Sequence, residues 1–143
     1  HCITLCTHVH QEYVLVSKNM MWGAARAYCR ENHTDLATIE SLKDMKMLAS
    51  IAAARSITGL IWIGLKKYEL KSWMWSSGDT PGLTGYTNWP NNDGHCTLFN
   101  AVEMTWWDRS CKDHYYFFCQ RYRTCMFLML VARFLSPTIQ ICP

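Results

Sequence analysis

The chain has 143 residues, half of them apolar or aromatic and 17% charged, against about 25% charged in ordinary globular chains. This composition excludes a solvated, disordered polypeptide, and the length fits one domain with a single core. Fourteen basic and eleven acidic residues leave a net charge of +3 with no long run of either sign, which argues against nucleic acid or an anionic membrane as partner.

Residues 1–12 read as an N-terminal segment. The chain opens at His1, and Cys2-Ile-Thr-Leu-Cys6 is compatible with the tail of a cleaved signal peptide. His8 and His10 alternate on an extended stretch; without a third ligand nearby they read as solvated side chains rather than a metal clip. Tyr13-Val-Leu-Val16 is a β-branched run suited to a strand. A helix follows, with Ser17 or Asn19 as its cap and Trp22, Ala25 and Cys29 recurring on one face. A second helix is predicted from Ser41-Leu-Lys-Asp44, a variant of the capping box with Asp in place of Glu or Gln. Met45, Leu48, Ala49 and Ala52 form its apolar stripe, and 56–59 ends it.

Beyond Gly59 the pattern changes to strands. Leu60-Ile-Trp-Ile63 is a continuous apolar run closed by Gly64, and Trp73-Met-Trp75 alternates before the turn Ser76-Ser-Gly-Asp79. The stretch 76–96, rich in Gly, Asn, Asp and Pro, reads as a long irregular excursion, a kind of loop that tends to carry function. Residues 97–104 and 115–119 read as closing strands. A strand, two helices and several strands around a long loop make an α+β fold.

Eight cysteines in a small domain read as a disulfide framework formed in an oxidising compartment. Zinc is the competing reading, but Cys2-x-x-x-Cys6 has no matching second pair. Spacing alone does not give the pairing.

In order along the chain stand Trp22-x(6)-Cys29, Asp35-Leu-Ala-Thr-Ile39, Trp62-Ile-Gly-Leu65, Trp73-x-Trp75 with Ser76-Ser-Gly78, Asn88-Trp89 before Cys96, Trp106-x-Asp108-x-x-Cys111 and Phe117-Phe-Cys119. This series resembles the C-type lectin-like domain, over residues 13–120. The resemblance implies a double-looped α+β domain with two helices and two antiparallel sheets, stapled by Cys29–Cys119 and Cys96–Cys111. It also makes the Trp62 segment core strand rather than ligand site.

Sugar-binding members of that family hold calcium through Glu-Pro-Asn or Gln-Pro-Asp, a further Glu near the third cysteine, and Trp-Asn-Asp. Here Trp89-Pro-Asn91 stands where the first motif is expected, Gly94 or His95 replaces the second Glu, and Trp106-Trp-Asp108 carries an indole in place of the asparagine. Asp108 matches and Asn91 is compatible. Asn92 and Asp93 could compensate through a shifted register, or Pro90-Asn-Asn-Asp-Gly94 is simply a tight turn. Calcium takes about six to eight oxygen ligands, so this reduced set implies no cofactor; calcium, if held, would sit on Asn91 and Asp108. The ligand-binding candidates are therefore Asn91, Asn92, Asp93, Trp107 and Asp108, with Tyr86, Trp89, His95 and Arg109 close by. Trp89 reads as packing at the loop base, and Trp107 as the aromatic facing solvent.

Asn32-His-Thr34 is a glycosylation sequon. No nucleophile–base motif, P-loop or dinucleotide fingerprint is present, so an enzyme is not expected. Residues 121–143 form an apolar tail outside the resemblance, expected to be poorly ordered; its apolar run Cys125 to Leu135 has eleven residues and contains Arg133, which falls short of a membrane span. Cys125 and Cys142 there, with Cys2 and Cys6, are left for further pairing or self-association. The sequence thus points to a secreted or extracellular binding module. Its long-loop face would recognise a glycan or glycoprotein without the usual calcium dependence. The alternative is a calcium-independent protein-interaction domain, linked to another copy through a spare cysteine.

Overall fold

The computed structural model describes residues 2–4, 10–67, 73–78, 95–123 and 140–142. In chain order the elements are β1 (Cys2–Thr4), β2 (His10–Met20), α1 (Trp22–Asn32), β3 (Asp35–Leu36), α2 (Leu42–Ala54) and β4 (Leu60–Lys67). They are followed by β5 (Trp73–Trp75), β6 (Cys96–Asn100), β7 (Thr105–Arg109), β8 (Tyr115–Arg123) and β9 (Gln140–Cys142). The chain divides into two units, one of residues 13–121 and one of residues 1–12 with 122–143. In the smaller unit β1 and β9 pair in parallel, Ile3 opposite Ile141. The pairing of Cys2, Cys6, Cys125 and Cys142, and the order of the tail between 124 and 139, fall outside what is described.

The larger unit is built on a seven-stranded sheet with the path β2-β8-β4-β6-β7, β3 being added to β8 and β5 to β4. The expected two antiparallel sheets are therefore one mixed sheet: β4 pairs β8 in parallel, Trp62 opposite Phe117, and β6 antiparallel on its other edge. Its strands bury both faces. Ile61, Ile63, Phe99 and Phe118 face the cluster that holds Met45, Leu48 and Ala52 of α2. Trp62, Leu98 and Phe117 face Trp22, Ala25 and Cys29 of α1. A strand covered on both sides has no reason to alternate, which accounts for the unbroken apolar run at 60–63.

The apolar stripe of α1 is as the sequence predicts, but its start is not. Ser17 and Asn19 both lie within β2, which runs straight into the helix. Met21 is the N-cap and makes no side-chain cap bond. The first-turn N–H of Trp22 donates instead to the Cys111 carbonyl at 3.1 Å, meeting one of the donors a helix start leaves open. In α2 the Ser41 hydroxyl accepts from the Asp44 N–H at 3.2 Å and the Asp44 carboxylate from the Glu40 N–H at 3.0 Å. At its end the Ile57 N–H reaches the Ala52 carbonyl and the Ser56 N–H that of Ala53, with Ser56 left-handed at φ 56°. That is a Schellman closure with serine where glycine is usual.

The strand expected over 97–104 is broken. β6 stops at Asn100, whose side-chain oxygen accepts from the N–H groups of Val102 and Glu103, and Met104 turns left-handed at φ 54° before β7. Two disulfides close the unit: Cys29–Cys119, which joins α1 to β8, and Cys96–Cys111, which spans β6 and the turn after β7.

Candidate functional site

The β6–β7 hairpin carries the described part of the site. Leu98 lies opposite Trp107, Thr97 opposite Asp108 and Cys96 opposite Arg109. Strand alternation then sorts β7 into two faces. Trp106 and Asp108 point into the body of the unit, where Trp106 meets Trp75 edge-on at 5.6 Å between ring centroids. Thr105, Trp107 and Arg109 share the opposite, partly open face.

Asp108, the best match to a family calcium ligand, is 2% exposed. Trp107 is half-buried rather than held out into solvent, because its ring packs on the cluster around Trp62 and Leu98. Its indole N–H donates to the Thr105 hydroxyl at 2.9 Å. The Arg109 guanidinium stands 5.1 Å from the centre of that ring, within the range of a cation–π contact, and donates to the Asp108 carbonyl at 2.9 Å. His95 is exposed at the mouth of the hairpin; its N–H donates to the Arg109 carbonyl at 3.3 Å, and its carbonyl accepts from the Lys67 N–H at 2.7 Å. The trio Thr105–Trp107–Arg109 was readable from strand alternation in Thr-Trp-Trp-Asp-Arg, though its stacking was not.

Asn91, Asn92 and Asp93 lie outside the described residues, as do Tyr86 and Trp89, so the loop half of the predicted ligand set is not placed. Among the described residues no three His, Cys, Asp or Glu side chains converge on a metal position. An indole donates a hydrogen bond and offers no oxygen, and Asp108 is a single carboxylate on the inward face of β7. The described residues do not by themselves make a calcium shell.

The sequon sits at the end of α1. Asn32 and Thr34 are exposed; the Asn32 amide donates to the Tyr28 carbonyl at 3.0 Å and the Thr34 N–H to the Gln120 carbonyl at 3.0 Å. Between them, partial burial first and the Arg121 charge second hold the His33 imidazole below its ordinary pKa.

Sequence reasoning missed a polar knot that ties α1 and β3 to the turn after β5. Asp35, nearly buried, takes the Arg30 guanidinium at 3.3 Å and the Ser76 hydroxyl at 2.6 Å, while the Arg26 Nε–H donates to the same Ser76 oxygen at 2.9 Å. A second Arg30 N–H reaches the Ser76 carbonyl at 2.9 Å. The signal was present: an aspartate opening an apolar run, and two arginines one helical turn apart on α1.

A family model, the lectin C-type domain, matches residues 18–121. The chain is 29% identical to human lymphocyte antigen 75 over 76% of its own length, which is 7% of that protein. It is also 29% identical to human early activation antigen CD69, over 76% of this chain and 50% of that one. The chain thus spans half or less of these curated relatives. Among solved structures, human lithostathine superposes with a TM-score of 0.70 at 23% identity, covering 83% of this chain and 97% of that one. The C-type lectin CEL-I from Cucumaria echinata gives 0.67 at 20% identity, covering 79% and 90%. At such identities the likeness of structure speaks for the fold alone. Paired cystines, two helices on a mixed sheet and the matched family model agree: the chain belongs to the C-type lectin domain family.

Proposed function

We propose that this chain is an extracellular recognition module that binds a glycan or glycoprotein ligand through its long-loop face, without dependence on calcium. Members of this family are generally binding modules rather than enzymes. The observation that carries the reading is the Trp107–Arg109 pair. Trp107 occupies the sequence position where the resemblance implies a calcium-ligating asparagine, and Arg109 stacks on its ring, beside a carboxylate turned inward. A half-open indole stacks on sugar C–H groups, and tryptophan and arginine are also the commonest anchors of protein interfaces. The fold itself does not demand calcium, since it is shared, at 22% identity and a TM-score of 0.65, by a protein described as a calcium-independent type II antifreeze protein.

Within this reading the binding residues are Trp107 with Asn91, Asn92 and Asp93 of the loop, while Asp108, 2% exposed on the inward face of β7, supports that strand from behind. Asn32 carries an N-linked glycan, the domain proper is 13–120, and the chain is secreted. No helix among the described residues is long and apolar enough to cross a membrane.

Calorimetric titration with calcium, followed by a saccharide panel with and without chelator, tests the proposal. Chelator-resistant binding that Trp107→Ala abolishes supports it. Binding lost on chelation overturns the calcium independence, and no binding to any saccharide overturns the glycan reading.

The second reading is a calcium-independent protein-interaction domain that self-associates through a cysteine among Cys2, Cys6, Cys125 and Cys142. What favours it is the same arginine-on-tryptophan surface, which suits a protein partner as well as a sugar. Non-reducing electrophoresis of secreted material decides the covalent part: a purely monomeric band removes it.

A further inference from the structure

The sequon at Asn32 lies inside a small ring that one residue of β8 closes at both ends. Cys119 is joined to Cys29 by the disulfide, and the same Cys119 pairs with Leu36 in the β3–β8 ladder. Residues 29–36 therefore leave β8 and return to it, with Asn32, His33 and Thr34 in the middle. Within the ring the chain is tied down step by step. The His33 N–H donates to the Cys29 carbonyl at 2.7 Å, the Thr34 N–H to the Gln120 carbonyl at 3.0 Å, and the Asn32 side-chain amide to the Tyr28 carbonyl at 3.0 Å. Asp35 pairs with Gln120, and the Arg30–Asp35 ion pair crosses the ring at 3.3 Å.

Exposure alone would make this sequon available, since Asn32 and Thr34 both face solvent. The chemistry asks for more. An amide nitrogen shares its lone pair with the carbonyl and is a poor nucleophile. A transferase must therefore grip the backbone on both sides of the asparagine to orient that nitrogen. Here the backbone on both sides is already committed, to α1 before it and to β8 after it. Lifting the tripeptide away breaks the bonds of His33 and Thr34 and the β3 ladder, while the cystine holds Cys29 to the very strand from which the segment has to part.

We infer that Asn32 accepts its glycan while Cys29 and Cys119 are still thiols, and that closing this cystine ends the reaction. The inference rests on the reading of Asn32 as a glycan acceptor given above and adds the condition under which it is filled. In the transfer the Asn32 amide nitrogen attacks C1 of a lipid-diphosphate-linked oligosaccharide. The N–C1 bond forms, the C1–O bond to the diphosphate breaks with its electron pair, and one amide proton leaves. The second amide hydrogen remains for the Tyr28 carbonyl, so a filled site is compatible with the closed ring. In the closing step the two thiols give up two electrons and two protons to a disulfide oxidant. During synthesis the order follows from position. The 90-residue separation of the two cysteines takes about 5–20 s to make at about 5–20 residues per second, and Cys29 has no native partner until then.

The test offers the unglycosylated full chain to solubilised oligosaccharyltransferase and a lipid-linked oligosaccharide in two forms: folded and oxidised with glutathione disulfide, or reduced with its thiols blocked by iodoacetamide. A free Asn-Ala-Thr peptide in each mixture reports that the enzyme is active, and intact mass with endoglycosidase release scores Asn32. The blocked chain should be filled at least about tenfold faster than the oxidised one, as expected where the native segment must first open. Two variants locate the effect. Cys96→Ala/Cys111→Ala keeps the ring and should be refused like the oxidised parent; Cys29→Ala/Cys119→Ala should be filled like the blocked chain. Filling of the first at the blocked rate, or refusal of the second, would overturn the inference. Equal rates for the oxidised and blocked parent would overturn it and leave the glycan reading standing. If the peptide is filled and neither form of the chain is, both fall.

Discussion

Gly64 lies against Ala37 so closely that a Cβ on it would meet the Ala37 carbonyl oxygen at 3.0 Å and the Leu36 Cβ at 3.2 Å. The contact is a bond as well as a fit: the Gly64 N–H donates to that carbonyl at 2.9 Å, and the Gly64 carbonyl accepts from the Ser76 N–H at 2.6 Å. It falls where β4 slips register against β6, between Trp62 and Lys66. Gly64→Ala should therefore destabilise the domain by about 1–3 kcal/mol, because the nearest atoms are backbone and cannot swing aside. A urea unfolding midpoint that does not fall would show that the strand moves freely.

The two cystines should differ in what they contribute. Cys29–Cys119 closes a separation of 90 residues and Cys96–Cys111 one of 15. In the chain-entropy model these are worth about 4.5 and about 3 kcal/mol. Cys96→Ala/Cys111→Ala should remain folded with a lowered urea midpoint, while Cys29→Ala/Cys119→Ala should lose more stability and be poorly secreted. The reverse order would show that native-state strain or residual unfolded structure outweighs loop closure.

Ser56 closes α2 in a left-handed conformation that costs a residue with a Cβ. Ser56→Gly should stabilise the fold by about 0.5–1 kcal/mol, the relief of strain exceeding the added freedom of the unfolded chain. Thermal unfolding measures it, and a lowered midpoint would contradict the closure described at Ala52 and Ala53.

Acid should weaken the fold slightly through His33. Its folded pKa is lowered, by burial and then by Arg121, so below the ordinary histidine value the unfolded chain binds more protons than the native one. The contribution is fully present above about pH 6.5 and is lost as pH falls through the lowered value. His33→Gln, which preserves the sequon, should flatten the dependence of the urea midpoint on pH below about 6.5. An unchanged slope would place the acid sensitivity elsewhere.

Local pattern made the helices and the central strand legible because their determinants lie within a few residues. Trp22, Ala25 and Cys29 fall on one helical face, and Leu60 to Ile63 is too apolar to belong anywhere but a doubly covered strand. What local pattern does not hold is the pairing of distant backbone. The Thr38 N–H donates to the Gln120 side chain 82 residues away, and β8 lies parallel to β4 rather than closing a separate sheet. The start of α1 was misread for the same reason, since its open N–H is met by Cys111 from across the fold and no capping side chain was needed. At the site, the local pattern carries a strand only to 104, whereas β7 alternates through 105–109 and sets Trp107 and Asp108 on opposite faces. The depth of Trp107 follows from Leu98 and Trp62, which no window around residue 107 contains.

The bond between Cys29 and Cys119 also governs how the domain would carry a pull. Tension entering near Tyr13 and leaving near Arg121 passes through sulfur, so the intervening 90-residue separation, about 300 Å of extendable chain, is kept out of the load path. A domain pulled at both ends would yield by the residues outside the clasp and then stop, holding the β6–β7 surface in shape while under strain.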